Sequence, residues 1–174
     1  TKTRAIVDAA HSGNPACEVL TTRKSMPGVK DLLTKAVTCG GAFPHRLGAS
    51  ETVLVFDHHI TFMGGFEAFL EALPALRGRC VEKKLFVEAG PDEARRLAEA
   101  GVDGIQLDKL PVDDLAALVP ELRAIDPHLT LIAAGGINLQ NAAAYAATGV
   151  DGLATTAPFT AKPIDMSVRM KRAE

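Results

Sequence analysis

The sequence predicts an α/β fold built on a parallel sheet, and three observations carry that prediction. Short apolar runs at Leu85–Val87, Ile105–Leu107, Leu129–Ala133 and Gly152–Ala154 lack period-two alternation, as strands covered on both faces do. Segments between the runs have helical period: Val112, Leu115, Leu118, Val119, Leu122 and Ile125 fall on one stripe, as do Phe66, Phe69, Leu70 and Leu73. A unit also recurs. LFVEAG at 85–90 and GVDGIQLD at 101–108 are matched by LIAAGG at 131–136 and GVDGLATT at 149–156, each copy reading strand, helix, strand. Such alternation implies right-handed crossovers in a sheet that is either open or closed into a barrel. A complete eight-fold barrel takes about 250 residues, so the 174 residues present are too few to close one unaided.

Taken in order, Thr1 to Ala10 reads as a helix. It offers no obvious domain start, so an N-terminal portion is expected to lie outside this chain. Glu18–Thr22 and Thr52–Phe56 read as strands and Val29–Val37 as a helix, which with the repeat makes about six strands alternating with helices. Pro91 and Pro111 sit where a helix's first turn tolerates proline.

With 47% hydrophobic and 23% charged residues, the chain has the composition of one folded domain with a substantial core, neither disordered nor fibrous. The longest apolar stretch, about nine residues from Leu129 to Ile137, falls far below the roughly 20 that a membrane helix needs, so neither membrane insertion nor secretion is expected. Cys17, Cys39 and Cys80 form no C-x-x-C pair; they suggest no zinc site or disulfide framework, and a reducing, cytoplasmic setting follows. A net charge of −2 argues against nucleic-acid binding. Between Val19 and Ser50 the charge turns positive, with Arg23, Lys24, Lys30, Lys35 and Arg46 against the single acid Asp31; scattered lysines on a solvated face would look the same.

In parallel α/β folds functional groups gather at the carboxyl ends of the strands. Those ends carry Arg23 and Lys24, then Asp57, His58 and His59, then Glu88, Asp108, the pair Gly135 and Gly136, and finally Thr155 and Thr156. The repeat sets Glu88 and Asp108 in the places of Ala134 and Thr156, so one copy is acidic and the other small and neutral. A glycine pair before a helix leaves backbone N–H groups open to a phosphate, and the last two strand ends of a barrel are the usual phosphate site; the same pair also marks a tight turn. Glu88 and Asp108 suit Mg²⁺, or a positive charge developing on a sugar ring, although such carboxylates also cap helices. Adjacent residues at a strand end point to opposite faces, which makes joint metal coordination by His58 and His59 awkward. His45 beside Arg46 presents donors suited to a carboxylate.

Several segments together resemble the quinolinate phosphoribosyltransferase family: TTRKSMPG at 21–28, GGAFPHRLG at 40–48, VLVFDHHI at 53–60, VDGIQLD at 102–108, AAGGI at 133–137 and GVDGLATTAP at 149–158. The resemblance covers essentially the whole chain and implies that residues 1–174 are the incomplete, TIM-like parallel β/α barrel of a type II phosphoribosyltransferase, its C-terminal domain, with the N-terminal sandwich domain absent from this chain. It implies a homodimer whose sites are shared between subunits, and an Mg²⁺-dependent reaction of phosphoribosyl pyrophosphate with a carboxylated N-heterocycle. By position, Arg23, His45 and Arg46 would face the acceptor's carboxylates, with Asp57 and His58 also in the substrate region, and Lys24 the donor. Glu88 and Asp108 would handle Mg²⁺, the ribose and its developing charge. Gly135 and Gly136 would hold the 5′-phosphate, with Thr155 and Thr156 beside them.

The departures are as informative. Phe56 stands where the enzyme proper has a lysine, Thr21 where it commonly has aspartate, His58 where it has asparagine, and Ala134 and Thr156 among its small phosphate-site residues. A charge-assisted contact of roughly 1.5 to 3 kcal/mol is lost with that lysine, so a changed acceptor pocket is expected. These features resemble the family's molybdenum-transport branch, the ModD proteins. Two functions follow as expectations: a phosphoribosyltransferase linked to molybdenum transport, or a non-catalytic nucleotide- or oxyanion-binding accessory protein of molybdate uptake. A third, a phosphate-binding aldolase, would need a Schiff-base lysine, for which Lys109 is the only late candidate.

Overall fold

The computed structural model describes residues 2–48, 51–160, 162 and 165–172. Helix α1 (Lys2–Gly13) leads to strand β1 (Glu18–Thr21), α2 (Lys30–Cys39), β2 (Phe43–Pro44) and β3 (Val53–Val55). There follow α3 (Asp57–Phe62), α4 (Phe66–Arg79), β4 (Leu85–Glu88), α5 (Pro91–Glu99) and β5 (Gly104–Asp108). The chain continues through α6 (Val112–Ile125), β6 (Thr130–Ala134), α7 (Ala142–Ala147), β7 (Gly152–Thr155) and a 3-10 turn at Ala157–Thr160. All the strand pairs are parallel, in the order β2-β1-β7-β6-β5-β4-β3. That is the cyclic order of a barrel cut open between β2 and β3.

Two facts show that the sheet curls. An outer apolar cluster joins helix residues such as Ile6, Phe69, Leu97 and Leu122 to Val19, Val87, Ile105 and Leu153 of the strands. The inner cluster of Leu54, Phe86, Ile132, Ala134 and Ala154, with Leu20 and Phe56 against it, contains no helix residue, whereas an open doubly wound sheet carries helices on both faces. Secondly, His45, just past β2, lies 2.9 Å from Gln106 of β5. Three strands separate β2 from β5 in the sheet, and a flat sheet would hold them about 19 Å apart at about 4.8 Å per step.

The repeated GVDG segments prove to be structural ties at the opposite end of the strands. Gly101 and Gly149 take φ of 77° and 90° just past α5 and α7, a left-handed conformation that ends helices and favours glycine. The buried Val102 and Val150 follow. Asp103 Oδ2 then accepts the Leu85 N–H at 2.7 Å, as Asp151 Oδ2 accepts that of Leu131 at 2.6 Å. Arg77 and Arg123 pair with these two carboxylates at 3.6 and 2.7 Å. Inside the barrel, a Cβ added at Gly104 would sit 2.2 Å from the Phe86 ring; the missing side chain makes room for that ring.

Four expectations need correction. A seventh strand, Phe43–Pro44, joins the expected six. The Thr52–Phe56 strand stops at Val55, because Phe56 is already the N-cap of α3. Pro111 caps α6 from outside at φ −56° and ψ 150° and is not in its first turn, unlike Pro91, which opens α5. His58 and His59 belong to a helix, so their rings do not diverge across a strand; the centroids are 4.1 Å apart. The helix expected from Thr1 begins at Lys2, Thr1 itself lying outside the described residues.

Candidate active site at the strand carboxyl ends

Period two along β4 and β5 turns Phe86, Glu88, Gln106 and Asp108 toward the barrel interior, with Glu88 paired in register with Gln106 and Asp108 with Ala134. Below them the inner apolar cluster closes the barrel. The Gln106 amide donates to Glu88 Oε2 and its oxygen meets His45 Nε2 at 2.9 Å. His45 is held in turn by its backbone N–H, which donates to Thr21 O at 2.9 Å. The result is a polar bridge, His45–Gln106–Glu88, spanning the mouth. Gln106, 7% exposed, was absent from the sequence-derived candidates; a polar side chain inside an otherwise apolar buried strand, one period before Asp108, is the signal that marks it.

Beside this bridge, a cavity of about 450 Å³ is lined by Thr22, Arg23, Ser25, Lys30, Arg46 and Phe159, among others. Burial and the neighbouring Arg23 press the Arg46 pKa down from its ordinary value, Glu51 opposing them. Two guanidiniums facing one cavity favour an anionic guest such as a carboxylate. Burial likewise lowers the pKa of His45 below 6.5; the Gln106 hydrogen bond opposes this, and Arg46 and Arg23 add to it. Lys24 stands exposed, its backbone N–H 3.3 Å from Thr22 Oγ1.

On the other side of the mouth, Gly135 and Gly136 adopt φ of 88° and 71° in succession. Neither N–H donates a hydrogen bond among the described residues, while the Gly136 carbonyl accepts from Asn138 and Asn141. A Cβ at Gly135 would lie 2.7 Å from the Lys109 backbone nitrogen, so the glycine lets β5 and β6 end side by side. Lys109 itself has φ 57°, unusual for a non-glycine residue. Its ammonium meets Asp108 at 3.3 Å and its side chain is 80% exposed, whereas a Schiff-base lysine is desolvated.

The expected threonine pair divides. Thr156 shares a 2.9 Å hydrogen bond with Thr22 across β7 and β1. Thr155 is 2% exposed and its hydroxyl is engaged twice, donating to Ile137 O at 2.6 Å and accepting from Ala157 N at 3.0 Å. Asp57 and His58 lie exposed in the first turn of α3 and make no hydrogen bond to the His45–Gln106–Glu88 bridge among the described residues. His58 stacks on Phe56 at 5.6 Å, and His59 Nδ1 accepts the Phe56 N–H at 2.9 Å. Among the described residues no three His, Cys, Asp or Glu side chains converge on one point. Glu88 and Asp108 offer hard oxygens of the kind Mg²⁺ takes, one or two from protein and the rest from substrate phosphate and water.

A curled parallel sheet with a carboxylate pair, an arginine-lined cavity and a glycine turn at its strand ends is an incomplete barrel whose mouth is suited to anionic ligands. Comparison with known proteins makes this specific: the chain belongs to the quinolinate phosphoribosyl transferase C-terminal domain family, whose profile matches residues 1–169. It is 46% identical over 140 residues to the protein named "Putative pyrophosphorylase ModD" of Rhodobacter capsulatus, across 80% of this chain and 53% of that one. It is 38% identical over 159 residues to the nicotinate-nucleotide pyrophosphorylase (carboxylating) of Mycobacterium leprae, across 90% and 54%. The solved nicotinate-nucleotide pyrophosphorylase of Francisella tularensis superposes with a TM-score of 0.80 at 28% identity, covering 92% of this chain and 55% of that one. The chain thus spans a little over half the length of these relatives.

Proposed function

We propose that the full-length protein transfers the phosphoribosyl group of phosphoribosyl pyrophosphate to a ring nitrogen of a carboxylated, quinolinate-like heterocycle. The observation that supports this best is that Glu88 and Asp108 share one barrel mouth with an arginine-lined cavity and the Gly135–Gly136 turn. In the step, the C1–O bond to pyrophosphate breaks with its electron pair on the leaving group, and the ring nitrogen's lone pair forms the C1–N bond. If the acceptor bears a carboxylate beside that nitrogen, CO₂ leaves and the ring carbon takes a proton. Glu88 and Asp108 offset the positive charge that develops on the sugar, a preorganised electrostatic role. Their free oxygens would also hold Mg²⁺, which supplies charge neutralisation to the departing pyrophosphate.

Arg23, His45 and Arg46 orient the acceptor's carboxylates, and Lys24 meets the donor. The N–H groups of Gly135 and Gly136, with Thr156, take the 5′-phosphate. Positioning and charge carry the rate enhancement, without a covalent intermediate. The link to molybdenum transport, which rests on the resemblance of the TTRKS motif to the family's molybdenum-transport branch, belongs to this proposal, as do a homodimer with shared sites and a cytoplasmic setting. Among the described residues no helix is long and apolar enough to cross a membrane.

One observation favours the second reading, a non-catalytic anion-binding accessory protein: Phe56 packs its ring against the inner cluster, where the resemblance leads one to expect a cation. Pyrophosphate release separates the two. The full-length protein is given donor and Mg²⁺ with quinolinate, nicotinate and related acids singly. Release with one acceptor supports the transferase, and donor binding without release under every acceptor supports the accessory protein.

A further inference from the structure

We infer that Gln106 is a positioning residue through which the Glu88 carboxylate holds His45 as the Nε2–H tautomer. A carboxylate only accepts hydrogen bonds, so the NH₂ end of the Gln106 amide has to face Glu88, and it does. That turns the amide oxygen to His45 Nε2, 2.9 Å away. An amide oxygen also only accepts, so this imidazole nitrogen carries the proton and Nδ1 keeps the lone pair of the neutral ring. Flipping the amide would set oxygen against carboxylate and NH₂ against N–H. Gln106 is 7% exposed, and water therefore offers little substitute for either partner.

The charged groups around the ring are Arg23 and Arg46, which disfavour a second proton, and Glu88 beyond the amide. His45 has no hydrogen bond to Glu88 among the described residues; the two communicate through Gln106. A change of charge at the sugar side of the mouth is thereby felt at the acceptor side. This consequence rests on the proposed placement of acceptor and donor, but the tautomer itself does not.

The test is long-range ¹H–¹⁵N correlation of the histidine rings in the full-length protein at pH 7.5, with His45 assigned through loss of its signals in His45→Gln. Wild type is expected to show Nε2–H in at least about tenfold excess over Nδ1–H, as one buried hydrogen bond demands. In Gln106→Met, which keeps the volume and removes both bonds, that ratio should fall at least about threefold. In Glu88→Gln, isosteric and without direct contact to His45, it should also fall, because the amide is free to flip. An Nδ1–H ring in wild type, or an unchanged ratio in either folded variant, overturns the inference. Should Gln106→Met not fold, Glu88→Gln decides alone. None of these outcomes depends on turnover, so an inactive wild type would count against the proposed reaction and leave this test standing.

Discussion

Neighbouring side chains of the same type do different work here, and substitutions should separate them. Thr155→Val removes a hydroxyl that satisfies both Ile137 O and Ala157 N, and should cost about 1–3 kcal/mol in chemical denaturation. Thr156→Val loses only the half-buried bond to Thr22, so it should cost no more than about 0.5–1.5 kcal/mol and in addition raise the KM for the phosphorylated donor. Cys17 is fully buried, and burial, with Asp151 and Glu18 adding to it, pushes its thiol up to about 12. A maleimide at pH 8 should therefore label the exposed Cys39 and reach Cys17 only after unfolding. For His45 the folded pKa lies below 6.5, so the unfolded chain binds the extra proton first. Its contribution to stability is full above pH 6.5 and is lost as pH falls through the lowered value. Denaturation midpoints against pH should show that slope in wild type and a shallower one in His45→Gln. At this scale the acids, glycines and arginines were legible, because strand ends are where such residues have no packing reason to be. Gln106 escaped notice because it lies inside a strand, and its importance comes from His45, 61 positions away in sequence.

Most elements were legible from the sequence: β4 to β7 and α4 to α6 through long or doubly buried apolar patterns, and α1, β1, α2 and β3, whose expected spans overlap the observed ones. The GVDG repeat was also visible, but its physical meaning, an aspartate tying the foot of the preceding strand, needed the geometry of Asp103 and Asp151. Asp151→Ala strands the Leu131 N–H and Arg123 together, and should lower stability by about 1–3 kcal/mol without altering ligand affinity at the far end of the strands. Two elements were not legible. β2 is only Phe43–Pro44, too short for a period and carrying a proline tolerable only at an edge. α3 begins Asp-His-His directly after β3, with Phe56 at an N-cap where serine or threonine is usual, and the His59 ring accepts the Phe56 N–H where the glutamate or glutamine of a capping box normally does.

Over the whole molecule, the parallel order and the curl are what bring His45, from one edge of the sheet, onto a strand near its other edge. Sequence alternation announced a parallel sheet, yet it left open whether that sheet was flat or curled; the family resemblance and the inner cluster without helix residues agree on a curled one. The central claim is that this curl assembles a phosphoribosyl-transfer site on Glu88 and Asp108. The most direct test is pyrophosphate release by the full-length protein, with donor, Mg²⁺ and the accepted heterocycle, measured side by side for wild type, Glu88→Gln and Asp108→Asn. We expect release by wild type and a loss on the order of 10²-fold or more in each variant, with unchanged far-ultraviolet circular dichroism. Wild-type rates in both folded variants would contradict the claim.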